Sequence, residues 1–211
     1  NPMERLSHVL ASKYNCTGPR YTSYPTAPQF SETFPLDGYL RDAASGPKNA
    51  DAPMSLYVHI PFCRDICYYC ACNKIVTREE GAGRKYLDHL SKELQLLESL
   101  SYKSRPITQL HWGGGTPTYL DNAELTELMH MLSRNFKLRD DDSREYSVEI
   151  DPRNVPADKI ALLKGLGFNR ISMGIQDFDP LVQKSINRLQ PYREIEKLVA
   201  EVRSHDFSSL S

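Results

Sequence analysis

Apolar residues along this chain fall into two rhythms. Short runs at residues 56–60, 108–112, 146–150 and 171–175 read as strands. Longer stretches between them carry apolar residues at helical spacing. In 84–100 the stripe is Leu87, Leu90, Leu94 and Leu97, and in 121–136 it is Leu125, Leu128, Met129 and Leu132. Asp121 followed three residues later by Glu124 has the form of a helix-opening capping box. A shorter helix is expected over 156–166, stopped by Gly165 and Gly167. Another is expected over 191–204, with Ile195, Leu198, Val199 and Val202 on its inner side. Proline opens both. Four strand–helix units in succession predict an α/β fold, a parallel sheet with its helices on the outside.

The first 54 residues break this rhythm. They are rich in Pro, Ser, Thr and Tyr, and predict an extended arm with two short helices, at 3–14 and Leu36–Ser45. The other end is also informative. Residues 207–211 have the character of an entry to a fifth strand. Four or five strands cannot close the usual eight-stranded β/α barrel, which takes about 250 residues. The expected division is therefore an arm at 1–54 and, at 55–211, the first part of an open β/α barrel whose remaining strands and C-terminal domain are absent. An unclosed sheet of this kind is expected to leave an edge and an apolar inner face uncovered.

Composition narrows the classes without naming one. The chain has 211 residues, 40% hydrophobic and 25% charged, with a formal net charge of −1. There is no basic excess to suggest nucleic acid and no apolar run long enough for a membrane span. A cytoplasmic protein with reduced thiols is expected.

The cysteines change the picture. Of five, four lie in the ten-residue run Cys63-Arg-Asp-Ile-Cys67-Tyr-Tyr-Cys70-Ala-Cys72, directly after the first strand. Packing needs no such spacing. Disulfides would suit a small secreted scaffold, whereas this chain is long and shows no secretory apolar core at its start. Structural zinc remains an alternative, although its ligands usually come as two separated pairs. Three thiolates at C-x3-C-x2-C spacing would instead leave one corner of a cubane iron–sulfur cluster open to a substrate or cofactor. Cys16, alone in a polar segment, suggests nothing further.

Other polar groups gather where β/α folds place function, at the carboxyl ends of strands. The second strand runs into Gly113-Gly-Gly-Thr-Pro117, the third delivers Glu149 and Asp151, and the fourth delivers Gln176 and Asp177. The glycine run matches neither a P-loop nor a dinucleotide fingerprint. It could be a tight turn, or a place where backbone approaches a ligand closely. Glu149 and Gln176 could face solvent at the rim or bind the hydroxyl and amino groups of a polar small molecule. Arg188 could be a surface residue or a carboxylate clamp.

The C-x3-C-x2-C run, with aromatic Tyr69 before its third cysteine, resembles the signature of radical S-adenosylmethionine (SAM) enzymes, and residues 113–117 resemble their glycine-rich motif. Within that superfamily, several motifs resemble the oxygen-independent coproporphyrinogen III oxidase family. They are His59-Ile-Pro-Phe-Cys63, the Cys-x-Cys ending at Cys72, Asn73-Lys-Ile-Val-Thr77, Leu110-His-Trp-Gly-Gly-Gly-Thr-Pro-Thr-Tyr-Leu120, Met173-Gly-Ile-Gln-Asp-Phe178 and Gly18-Pro-Arg-Tyr-Thr-Ser-Tyr-Pro-Thr26. The resemblance runs from residue 18 to about 190.

It implies that Cys63, Cys67 and Cys70 hold a 4Fe–4S cluster, with SAM on the fourth iron. One electron would cleave the sulfonium to a 5′-deoxyadenosyl radical. That radical would take hydrogen from a propionate side chain. Loss of carbon dioxide and an electron would leave a vinyl group, twice per coproporphyrinogen III, giving protoporphyrinogen IX in heme biosynthesis. Position by position, Tyr57, Gly114, Gly115, Thr116, Glu149, Gln176 and Arg188 match SAM-contacting residues, and the family binds two SAM molecules. Cys72 matches a cysteine needed for activity that does not bind the cluster. Arg20 and Tyr21 are candidates for contacts near the substrate carboxylates. The implied partners are a porphyrinogen, an electron donor and an electron acceptor, in a monomer with no nucleic acid or membrane. Tyr69 replaces the common Phe and Ala71 the common Gly. A heme-binding relative is the alternative, but such proteins typically lack the fourth cysteine and the Asn-Lys-Ile-Val-Thr run present here. A non-catalytic metal-binding module is the other.

Overall fold

The structure, a computed structural model, describes residues 8–17, 24–45, 52–97 and 105–211. The chain divides into two compact units, Asn1–Asp42 and Ala43–Ser211. The first holds α1 (His8–Tyr14), a 3-10 turn at Ala27–Gln29 and most of α2 (Leu36–Ser45), whose limits are those expected. The Tyr24–Pro25 peptide is cis.

The second unit is built on a parallel sheet. Its long strands are β1 (Met54–Ile60), then, after the short β2 (Phe62–Cys63) and β3 (Ile75–Val76), β4 (Pro106–Gly114). There follow the two-residue β5 (Lys137–Leu138), β6 (Glu145–Ile150), β7 (Arg170–Met173) and β8 (Ser209–Leu210). The sheet order is β1-β4-β6-β7-β8, with β5 alongside the start of β4 and β2 paired only with β3. Spatial order thus follows chain order without a reversal. Right-handed crossovers then put every connecting helix on the same side of the sheet. The fifth strand suggested by residues 207–211 is β8, with Arg170 opposite Ser209 and Ile171 opposite Leu210.

The helices lie where the stripes predict. In α3 (Ala82–Leu96) Leu87 and Leu94 are buried, and in α4 (Asn122–Asn135) Leu125, Leu128, Met129 and Leu132 are buried. Buried Ile160 and Leu163 mark α5 (Ala157–Gly165). The six-residue α6 (Pro180–Ser185) was too short to announce itself by periodicity, and α7 (Tyr192–Ser204) buries Ile195, Leu198 and Val202. The capping box is formed: Asp121 accepts from the Glu124 amide at 2.8 Å, and Glu124 accepts from the Asp121 amide at 2.9 Å. Asp121→Ala is expected to destabilise the protein by about 1 kcal/mol in urea unfolding, since it strips one partner from an otherwise unpaired helix-end donor.

Two expectations need correction. The fourth strand stops at Met173 rather than residue 175. The Gly174 carbonyl accepts from the Arg188 guanidinium at 2.8 and 3.2 Å, which draws the chain away from the sheet. The open sheet face, moreover, is polar. Val58, Ile60, Leu110, Trp112, Val148, Ile150, Ile171 and Met173 turn to the helix side and are buried, with Trp112 edge-on to Phe168 at 4.7 Å. The alternate positions carry Tyr57, His59, Gln109, His111, Glu145, Ser147, Glu149, Arg170 and Ser172. They bond across strands: Ser55 donates to Gln109, Gln109 to Glu145 (2.9 Å), and Arg170 to Glu145 (2.6 Å). A parallel sheet covered on both faces has continuous apolar strands. Period-two alternation here leaves one face suited to water or a polar ligand.

Candidate functional site

The cysteine run forms a loop fastened on two sides. At its base β2 pairs with β3, with Ile75 N donating to Pro61 O (2.8 Å) and Thr77 N to Cys63 O (3.0 Å). Lys74 Nζ donates to Cys70 O at 2.9 Å, and the His59 ring meets Asn73 O at 2.8 Å. Burial pushes the Tyr86 hydroxyl up to about 12, so it keeps its proton and donates to His59 O at 2.7 Å. From the far side comes the segment after α6. Tyr68 N donates to Ile186 O at 3.1 Å, and Asn187 Nδ2 to Ile66 O at 2.7 Å. Asn187 has φ 54°, a left-handed conformation that Asn tolerates better than most residues.

Charge collects around Cys67, the buried thiol of the run. Its sulfur is 3.2 Å from Arg188 Nη1 and 3.6 Å from Arg153 Nη2. Asp151 joins the two arginines, at 2.5 Å from Arg153 and 3.5 Å from Arg188. Burial opposes ionisation of Asp151, but the Arg153 hydrogen bond and the Arg188 charge outweigh it and hold the carboxyl below its usual range. Neighbouring thiols differ. Burial raises Cys63 and Cys72, whereas at Cys70 hydrogen bonds from Cys72 and the nearby Lys74 charge outweigh burial and lower it.

The glycine run meets this loop. Gly115 N donates to Ile60 O at 2.8 Å and Thr116 N to Phe62 O at 2.7 Å, carrying the β1–β4 pairing into the turn. A Cβ on Gly115 would lie 2.5 Å from Pro61 O and 2.7 Å from Phe62 O. The close approach is thus to the protein's own loop. Behind it, Lys159 is buried and donates to Thr118 O (3.0 Å) and Leu120 O (2.6 Å); burial lowers its pKa.

Most of the expected site residues share one cleft, of about 250 Å³, at the carboxyl ends of β4, β6 and β7. Cys70, Cys72, Gly114, Gly115, Thr116, Glu149, Gln176 and Arg188 line it, with Tyr69 and Asp151. Cys63 and Cys67 are not in this lining, and Thr116 Oγ1 is 3.6 Å from Cys63 Sγ. Tyr57 does not line the cleft. It lies on the polar face one strand away, bonded to His59 Nδ1 at 3.0 Å and stacked on His111. Arg188 is buried, not a surface residue. Arg20 and Tyr21 lie outside the described residues. A hollow of about 340 Å³ lined by Val155, Pro191 and Leu198 includes none of the cysteines or glycines.

Several participants were not singled out from sequence. His111 and Ser147 could have been found by extending the period-two alternation that links Tyr57 and Glu149. Arg153 and Asn187 act across distances of 86 and 121 residues, for which local spacing carries no signal.

None of the five cysteines is joined in a disulfide in the structure. Among the described residues no three His, Cys, Asp or Glu side chains converge as a single metal ion requires. Among them, too, no helix is long and apolar enough to cross a membrane.

Residues 57–211 match the family model described as the Radical SAM superfamily. An oxygen-independent coproporphyrinogen III oxidase of Pseudomonas aeruginosa is 46% identical over 205 residues, covering 96% of this chain and 44% of that protein. The Escherichia coli protein of the same name is 48% identical, over 95% and 43%. One from Mannheimia haemolytica is 49% identical over 144 residues, 68% of this chain and 94% of that protein. The solved structure of the Escherichia coli oxidase, described as a radical SAM enzyme, superposes with a TM-score of 0.85 at 43% identity, over 96% of this chain and 44% of that one. The chain belongs to the radical SAM superfamily and, within it, to the oxygen-independent coproporphyrinogen III oxidase family. It spans less than half the length of the first two relatives.

Membership brings a 4Fe–4S cluster and SAM as cofactors. The residues present fit them. A cubane takes one thiolate per iron, so its ligands need not converge on a point as those of zinc must. The loop offers several thiols, beside two guanidinium groups and a cleft whose lining includes Glu149 and Gln176.

Proposed function

We propose that the protein is a radical SAM oxidoreductase, a coproporphyrinogen dehydrogenase. Its reaction converts two propionate side chains of coproporphyrinogen III to vinyl groups, giving protoporphyrinogen IX. The observation that carries this reading is the single cleft shared by Cys70, Cys72, the glycine run, Glu149, Gln176 and Arg188. Cys63, Cys67 and Cys70 would hold the cluster. When bound, the reduced cluster and SAM would supply one-electron chemistry able to remove hydrogen from an unactivated carbon.

The chain's own residues bind, orient and shield. Glu149 offers a carboxylate to hydroxyl and amino hydrogens. Burial raises its pKa, but the stronger His111 hydrogen bond leaves it below the usual range. Gln176 offers an amide that donates and accepts. Gly114, Gly115 and Thr116 present backbone along one wall, and Arg188 sets a fixed positive charge beside Cys67. Tyr57 extends the polar face beyond the cleft, in keeping with a second SAM. Cys72 stands at the cleft without ligating the cluster and serves the reaction directly. An electron donor and acceptor complete the cycle, in a cytoplasmic monomer.

The test is anaerobic incubation of the full-length, cluster-loaded protein with coproporphyrinogen III, SAM, a one-electron reductant and a one-electron acceptor. Protoporphyrinogen IX and carbon dioxide are the expected products. Loaded protein that cleaves SAM but never decarboxylates this substrate would overturn the substrate assignment.

A further inference from the structure

On the polar face of the sheet, His111 of β4 stands between two neighbouring strands. It lies opposite Tyr57 of β1 and opposite Ser147 of β6 in the strand register. The Tyr57 ring stacks on it, 5.7 Å between centroids and 13° from parallel. Nδ1 meets Ser147 Oγ at 2.5 Å, and Nε2 meets Glu149 Oε1 at 3.1 Å. The other Glu149 oxygen accepts from the Gly114 amide at 3.3 Å. Both carboxylate oxygens are therefore engaged, one by the glycine run and one by the imidazole.

Gly113 makes this possible. A Cβ there would fall 2.9 Å from His111 Nε2 and 3.0 Å from the Glu149 carboxyl carbon. Only a bare backbone lets the ring reach along β4 to its partner. The hydrogen position follows from chemistry. A carboxylate only accepts, so Nε2 carries the hydrogen.

We propose that His111 is a positioning residue: Ser147 and Tyr57 hold its ring, and its Nε2–H sets the orientation in which Glu149 presents its carboxylate to SAM. This rests on the reading of Glu149 as a SAM-binding residue. His111 acts through Glu149 and touches no cofactor itself.

The experiment is a double-mutant cycle on SAM affinity. Full-length proteins with matched iron and sulfide content are kept unreduced, so that SAM is not consumed, and its Kd is measured by equilibrium dialysis. His111→Ala is expected to weaken binding about tenfold, the size of one charge-assisted hydrogen bond near a surface. Adding it to Glu149→Ala should change nothing further. His111→Gln, which keeps a donor at the same reach, should recover most of the loss, and Ser147→Ala should cause a smaller one. The His111 side chain is 36% exposed, so its truncation opens no core cavity, and the Gln variant keeps the volume. Multiplying effects of His111→Ala and Glu149→Ala would overturn the proposal. So would an unchanged Kd in His111→Ala beside a weakened one in Glu149→Ala, while leaving the site reading intact. If Glu149→Ala itself binds SAM normally, the reading of Glu149 falls and the proposal falls with it.

Discussion

A Cys67→Ser protein is expected to keep its fold and lose its iron–sulfur cluster. Serine has nearly the same shape as cysteine, and apart from the Arg188 and Arg153 contacts the loop's fastenings do not use the Cys67 sulfur. Tyr68 N to Ile186 O, Asn187 Nδ2 to Ile66 O and Thr77 N to Cys63 O all survive the change. What disappears is a soft thiolate, the ligand type that selects iron–sulfur clusters over other metal centres. Cys67 also lies beside two positive charges, Arg188 and Arg153. After anaerobic reconstitution, iron and acid-labile sulfide should be at background, and the reduced EPR spectrum should be silent with or without SAM. Cys72→Ser is the informative contrast, since it should retain the cluster signal and lose product formation. A full cluster in Cys67→Ser would remove Cys67 from the ligand set. Loss of cluster in Cys72→Ser would move Cys72 into it.

The contrast between these cysteines marks how far the sequence could be read. Clustering and spacing pointed to a soft metal loop, helical stripes located α3, α4 and α7, and a proline and two glycines bracketed α5, because each signal is local. The strands were equally visible as apolar runs. Their alternation was the missed clue: Tyr57, His59, His111, Ser147 and Glu149 interrupt those runs at every second position. An open β/α sheet suggested an apolar inner face, and that expectation hid a polar one. The elements that escaped were two-residue β2, β3 and β5 and six-residue α6, all too short for a period. Yet β2, β3 and the segment after α6 are what fasten the cysteine loop. Long-range partners such as Arg153 and Asn187 become visible only once the strands are stacked in order.

That order also explains why the glycine run stands beside the cysteines at all. β1 and β4 are neighbours in register to their last residues, with Ile60 opposite Gly114, so whatever follows each strand emerges side by side. The cysteine loop leaves one, the glycine turn leaves the other, and Glu149 at the end of β6 reaches Gly114 from the next strand. Fold topology, not any one motif, brings the site together.

Gly115→Ala is expected to be the most damaging substitution that alters no chemical group. The added methyl would sit 2.5 Å from Pro61 O and 2.7 Å from Phe62 O, both backbone atoms that cannot swing aside as a side chain can. Relief requires β4's exit to move away from the loop. That motion stretches the Gly115 N–Ile60 O and Thr116 N–Phe62 O hydrogen bonds and pulls Thr116 from Cys63. Overpacking of this kind costs about 3 kcal/mol, and in a domain of this size lowers Tm by roughly 6–12 °C. Cluster retention should fall as well, because Cys63 and the β2–β3 base are the parts displaced. Gly114→Ala is the paired control: its methyl would meet the His59 ring, a side chain that can turn, although φ 115° adds backbone strain. Thermal unfolding of the apo proteins and iron content after reconstitution measure the two effects separately. A Gly115→Ala protein as stable as the parent would show that the loop is not braced by the glycine turn. A stable apo protein that still fails to hold iron would put the turn's contribution at the cluster rather than in the fold.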